Sequence, residues 1–303
     1  MTWLESNWPN KISPGIRLAE RLKSKSILKV PGAHNGLAGL TAKRTGFEAL
    51  YISGAGISAS MGLPDLGVMT LEDLCFHVRT IFRATDLPLI VDADTGYGEA
   101  LNVMRTVREL EQAGAAAVQI EDQKLPKKCG HLNDKQLIST HDMTLKIAAA
   151  KTAKNHIQIV ARTDAFSSHG LEEAITRAQR YVEAGADIVF ADGLSELSDI
   201  KNFAQKLSVP ALANMTEFGR TPYITGQQFQ DMGYKIVIWP VSQLRVALKA
   251  MEELYETIKT EDGTKPQEPK MKTREELYDL INYFDYEALD KSIVKSVVPK
   301  AAE

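Results

Sequence analysis

Eight short runs rich in Val, Ile, Leu and Ala lie at residues 27–33, 49–55, 87–94, 115–122, 157–164, 186–192, 210–216 and 235–241. Between them are segments with helical periodicity, such as 100–113 and 171–184. Continuous apolar runs of this length read as strands buried on both faces, the pattern of a parallel sheet. Four helix-to-strand junctions carry glycine, at Gly46, Gly114, Gly185 and Gly233, where an αβ loop needs a residue that closes a helix. The alternation predicts an α/β fold, a (β/α)8 TIM-type barrel. A doubly wound sheet competes with it, but no GxGxxG follows the first run. Residues 261–274 are polar with two prolines and read as a linker, and 274–289 read as an additional C-terminal helix. Its apolar stripe of Leu277, Leu280, Ile281 and Phe284 must be buried on its own barrel or on a neighbouring subunit. The expected division is a catalytic barrel over 1–260 and a linker with helical extension over 261–303.

With 36 Lys and Arg against 39 Asp and Glu, the net charge of −3 gives no footprint for nucleic acid and no reason to expect a membrane surface. A 44% hydrophobic and 25% charged composition supplies a large core. No apolar run reaches the ~18–20 residues of a membrane span, and the first residues show no signal-like apolar segment. Two cysteines, Cys75 and Cys129, build no disulfide framework and suggest a reducing compartment, so a cytoplasmic location is expected.

A barrel places its chemistry at the carboxyl ends of its strands, and polar residues cluster there. The runs end in Tyr51, Ser53, Gly54 and Ala55; in Asp92 and Asp94; in Glu121 and Asp122; in Arg162 and Asp164; in Asp192; and in Asn214, Met215, Thr216 and Glu217. Two residues apart on a strand, Asp92 and Asp94 are expected to point the same way. That arrangement repels unless a cation sits between them, and hard oxygens of this kind suit Mg2+; an aspartate cap with a solvated neighbour is the plainer reading. Glu121 would act behind the metal. In Lys127-Lys128-Cys129-Gly130-His131, the lysines and histidine favour thiolate, so Cys129 reads as a nucleophile or general acid–base, or else as an inert loop thiol. Zinc lacks a second nearby cysteine, and Cys75 reads as a small buried hydrophobe. Arg162 fits either a substrate carboxylate or an internal ion pair. Arg245 and Arg274 read as surface residues by default, and His34, His77 and His141 as structural.

KKCGH at 127–131, DADTGYG at 92–98, SGAG at 53–56 with GLPDLG at 62–67, ARTDA at 161–165, LANMTEFG at 212–219 and KTREELY at 272–278 together resemble the isocitrate lyase and phosphoenolpyruvate mutase superfamily. The resemblance runs from about residue 27 to 289 and is nearest to its lyases acting on 2-methylisocitrate. It implies a Mg2+-dependent carbon–carbon lyase, with Mn2+ as an alternative ion, that splits this tricarboxylate into pyruvate and succinate. It implies Asp92 and Asp94 as metal ligands, with Glu121 and Asp65 in the outer shell. Cys129 and His131 would be catalytic, with Tyr51 as the group that takes the hydroxyl proton. Ser53, Gly54, Ala55, Gly130, Arg162, Asp192, Asn214, Met215, Thr216, Arg245 and Arg274 would bind substrate. A loop around 124–132 is expected to close over the site, and a homotetramer exchanging its C-terminal helix is implied. Two departures stand out: Asp192 where the family carries a glutamate, and Lys272 where it carries glutamine. A phosphonomutase, decarboxylase or hydrolase of the same superfamily is the nearest rival, and a non-catalytic sensor a more distant one.

Overall fold

The structure is a computed structural model, and it describes residues 2–5, 8–128 and 135–293. The chain divides into two compact units, one of residues 12–252 and one of 1–11 with 253–303.

In the first unit α1 (Pro14–Leu22) precedes β1 (Leu28–Pro31), α2 (Gly36–Arg44), β2 (Leu50–Ile52), α3 (Gly54–Ser60) and α4 (Leu71–Thr85). Then come β3 (Leu89–Asp92), α5 (Ala100–Ala113), β4 (Ala117–Glu121), α6 (Thr140–Ala153), β5 (Gln158–Thr163) and α7 (Phe166–Ala184). The series ends with β6 (Ile188–Ala191), α8 (Leu197–Gln205), β7 (Ala211–Asn214), α9 (Gly226–Met232) and β8 (Ile236–Trp239). The eight strands are parallel in the order β1-β8-β7-β6-β5-β4-β3-β2. A single parallel bridge, Gly32 to Tyr51, and the Ala33 N–H donating to the Tyr51 carbonyl at 2.9 Å close β2 onto β1. The fold is the expected eight-stranded barrel. Each strand is shorter than its apolar run, which gives residues to the connections at its ends.

Inside, Leu28, Val30, Tyr51, Ile90, Val160, Ile188, Phe190, Leu212 and Ile236 form one packed cluster with Leu18 of α1. At the amino-terminal ends of the strands, the Arg17 guanidinium pairs with Asp86 at 2.8 Å and Gln158 Nε2 donates to the Gly15 carbonyl at 3.4 Å. Thus α1 stoppers that end of the barrel.

The junction glycines do what the spacing demands: Gly114 sits at φ 102° after α5, in the left-handed region a side chain resists. A Cβ there would also meet Phe82 Cδ1 at 2.2 Å. Gly114→Ala is therefore expected to cost about 2–4 kcal/mol, strain and ring clash together. Chemical denaturation checks it, and a loss below about 1 kcal/mol would show that the turn relaxes freely.

The division between units falls within α10 (Ser242–Glu261), on which Val246, Leu248, Met251, Tyr255 and Ile258 are exposed. In the second unit a 3-10 turn, Lys265–Lys270, leads to α11 (Arg274–Leu280) and α12 (Tyr283–Ser292). The one helix expected over 274–289 is thus two, because Asn282 takes a left-handed conformation, φ 56°, that no helix continues through. Leu277, Ile281 and Phe284 remain exposed. No helix among the described residues is long and apolar enough to cross a membrane.

Candidate active site

The carboxyl ends of the strands surround a cavity of about 110 Å3 bordered by Tyr51, Ser53, Ala55, Asp65, Asp92, Glu121, Lys127, Arg162, Asp192, Asn214, Thr216 and Arg245. Its walls come from the predicted rim, and side-chain chemistry decides what each residue can do there.

Asp92 ends β3, but Asp94 does not share its strand face: the strand has stopped, and Asp94 sits at φ 48° in the following turn. The two carboxylates converge through that turn rather than by strand alternation. A Cβ on Gly54 would come 3.1 Å from Asp94 Oδ1 and 3.4 Å from Asp92 Oδ2, so the glycine leaves both oxygens their room. Burial raises both pKa values. For Asp94, with neighbouring Asp92 adding to burial, the value is pushed up to about 6 against the opposing pull of Lys127.

The Lys127 ammonium is the cation that meets them, 2.6 Å from Asp94 Oδ1 and paired also with Asp65. Burial alone would discharge it, but Asp94, Asp92, Glu121 and Asp65 outweigh burial and hold its pKa above the usual lysine range. Its charge is directed at the carboxylates. Cys129, Gly130 and His131 lie outside the described residues.

Arg162 resolves largely as an internal ion pair. Its Nε is 2.9 Å from Asp164 Oδ2 and 3.3 Å from Glu121 Oε2, and its Nη2 is 2.8 Å from Asp192 Oδ2. Its carbon Cζ lies 5.3 Å from the centre of the Phe190 ring. Asp192 also accepts from Asn214 Nδ2 at 3.2 Å and from the Gly193 N–H at 3.0 Å. Behind this group, Lys135 Nζ is 3.0 Å from Asp164 Oδ1, and Asp122 accepts from Thr163, Tyr181 and Arg177. Burial would raise the Asp164 pKa, yet Arg162 and Lys135 hold it down to about 2.

Three residues depart from their expected roles. Tyr51 is no base in this structure: its hydroxyl donates to Gln119 Oε1 at 3.0 Å, and burial with Asp92 nearby raises its pKa well above the ordinary tyrosine value. Met215 does not border the cavity; it is buried, and its sulfur accepts the Ile224 N–H at 3.2 Å. The Gly54 N–H is directed at Asp92 Oδ2 at 3.3 Å, and Gly54 is not among the lining residues, so its contribution is to the carboxylate. Ser53 Oγ caps α3 through the Gly56 N–H at 3.3 Å while still lining the cavity. Arg245 is held by Glu217 Oε2 at 2.8 Å beside Thr216, and Arg274 is the exposed first residue of α11 in the other unit.

The donor set fits a hard divalent ion. Glu121 Oε1 is buried with no hydrogen-bond partner among the described residues. In this network six buried carboxylates, Asp92, Asp94, Glu121, Asp122, Asp164 and Asp192, face four buried cations, Lys127, Lys135, Arg162 and Arg177. No group of three His, Cys, Asp or Glu side chains is arranged as a metal cage among the described residues. An ion held by one or two carboxylates, which keeps waters and shares substrate oxygens, is what Mg2+ prefers.

Residues 18–259 match the family model for phosphoenolpyruvate phosphomutase. The chain is 48% identical over 299 residues to 2-methylisocitrate lyase of Bacillus subtilis, covering 99% of both chains. It is 53% identical over 280 residues to 2-methylisocitrate lyase of Aeropyrum pernix, covering 92% of this chain and 91% of that one. The chain belongs to the 2-methylisocitrate lyases of the phosphoenolpyruvate mutase/isocitrate lyase superfamily. Among solved superfamily structures, 2,3-dimethylmalate lyase superposes with a TM-score of 0.87 at 34% identity, covering 92% of this chain and 95% of that one. Phosphonopyruvate hydrolase in complex with oxalate and Mg2+ superposes with a TM-score of 0.86 at 27% identity, covering 94% of this chain and 100% of that one.

Within this lyase family, sequence reasoning missed Gln119 and did not give Lys127 its place among the carboxylates. Gln119 carried a usable signal: it is an amide flanked by Val118 and Ile120 within a strand run, and a buried amide needs partners. The partner of Lys127 carried none, because Asp65 is far away in sequence on a loop between two helices.

Proposed function

We propose that this chain is a Mg2+-dependent carbon–carbon lyase that splits 2-methylisocitrate into pyruvate and succinate. The full-length likeness to 2-methylisocitrate lyases carries this reading, and the acidic pair beside a cavity lined by Arg162, Asn214 and Arg245 supports it. Asp92 and Asp94 would hold the ion, with Glu121 and Asp65 behind it. When bound, Mg2+ supplies Lewis-acid stabilisation of negative charge on substrate oxygens.

The remaining chemistry belongs to the side chains. Ser53 and Ala55 border the pyruvate-forming end, and Arg162, Asn214, Thr216 and Arg245 the succinate-forming end, with Arg274 and Gly130 assigned to substrate by resemblance. Asp192 acts through the donors it holds, by orienting Arg162 Nη2 and Asn214 Nδ2. The substrate hydroxyl gives its proton to a water molecule of the cavity; the carbon–carbon bond then breaks as the carbonyl of pyruvate forms, and its electron pair goes to the carbon of the succinate half. Cys129 delivers the proton that this carbon takes up, with His131 beside it in sequence tuning the thiol. Cationic and amide donors stabilise the charge gathered next to the succinate carboxylate before protonation.

A cytoplasmic homotetramer belongs to the same proposal, and the exposed apolar side chains of α10, α11 and α12 support it. Exchange of the C-terminal helices between subunits would cover them.

In an assay of succinate release with Mg2+, 2-methylisocitrate is expected to exceed isocitrate in kcat/KM by about 10-fold or more, as one pocket methyl can give. Chelator is expected to abolish both activities. Failure to cleave either acid in the presence of Mg2+ would overturn the proposal.

A further inference from the structure

The barrel wall beside Asp92 carries a hydrogen-bond chain that no role described above uses. Gln119 lies opposite Asp92 in the β3–β4 register, fully buried. Its Nε2 donates to Asp92 Oδ1 at 3.1 Å, and its Oε1 accepts the Tyr51 hydroxyl at 3.0 Å. An amide has a fixed polarity, because its NH2 only donates and its carbonyl only accepts. Reversed, Gln119 would set its carbonyl against the Asp92 carboxylate in a fully buried position, leaving two acceptors facing each other. The chain therefore runs one way, from the phenol through the amide to the carboxylate.

We infer that Gln119 is a positioning residue: its amide holds Asp92 as an acceptor in the orientation a cation needs, and it turns the Tyr51 proton away from the cavity. This rests on the reading of Asp92 as a metal ligand. Asp92 Oδ1 is met by Gln119 and by the Asp94 N–H at 3.4 Å, while Oδ2 faces the Gly54 N–H at 3.3 Å. Of these donors, only Gln119 reaches Asp92 with a side chain. Partners behind a metal ligand commonly set its affinity by 10–100-fold. Tyr51 borders the cavity with its single proton committed to Gln119, so it offers the substrate hydroxyl an acceptor and contributes no donor to a substrate carboxylate.

The test is Mn2+ binding to the full chain, followed by electron paramagnetic resonance without substrate. Gln119→Met keeps the volume and removes both hydrogen bonds; Gln119→Glu keeps the shape and sets a second carboxylate against Asp92. Each is expected to raise the Mn2+ Kd about tenfold. Gln119→Glu carries the test should Gln119→Met fail to fold. A rise below threefold in both folded variants would overturn the inference and leave Gln119 as core filling. If the unsubstituted chain bound no Mn2+, the metal reading would fall and this inference with it, a result distinct from variants that bind normally.

Discussion

Cys129→Ser is expected to lower turnover of 2-methylisocitrate by about 10²–10⁴-fold, the usual share of a positioned general acid, while the Mn2+ Kd stays within twofold. The two readouts separate because the metal-side groups are Asp92 and Asp94, held by β3 and its turn. A thiol, with an ordinary pKa of about 8.5, gives its proton to a developing carbanion far more readily than an alcohol does. Serine preserves size and a hydroxyl but forms a much stronger conjugate base. A pyruvate-coupled assay measures the loss. Near-normal rates would remove the sulfur from the proton transfer and shift the search to a water or another side chain.

Arg177→Met is expected to destabilise the fold by about 3–5 kcal/mol without entering the cavity. The reason lies in Asp122, which is fully buried and keeps only Thr163, Tyr181 and the Asp164 N–H once the guanidinium is gone. Breaking one side of a buried pair leaves a charge with no partner, which costs far more than the intact pair contributes. Burial, followed by neighbouring Asp164, already raises the Asp122 pKa. In the variant that rise grows, so the folded state takes up a proton more readily than the unfolded chain. The deficit is then largest at neutral pH and shrinks as pH falls toward the raised folded value. Urea denaturation at two pH values checks both size and direction. A loss below 1 kcal/mol would mean that Asp122 is neutral in the native protein.

The barrel was legible because a strand covered on both faces has little choice of composition. Ala, Val and Ile fill 115–118 and 159–161 without interruption, and left-handed glycines punctuate the returns to the sheet. The rim was legible for the same reason: wherever an apolar run ends in Asp, Glu, Arg or Asn, the chain has reached water or a site. What escaped were relationships across the sequence. The convergence of Asp92 and Asp94 depends on a left-handed turn, the role of Lys127 on an aspartate from another loop, and the fate of Tyr51 on an amide two strands away. The C-terminal break at Asn282 escaped because the amphipathic period carries straight through it.

The helix that stoppers the floor of the barrel, with Leu18 wholly buried, has a kinetic corollary. A vessel with one opening must be emptied through the door by which it was filled. When one acid enters and two leave, the fragments queue, and whichever sits nearer the exit departs first. On such a scaffold substrate entry and product exit share one mouth.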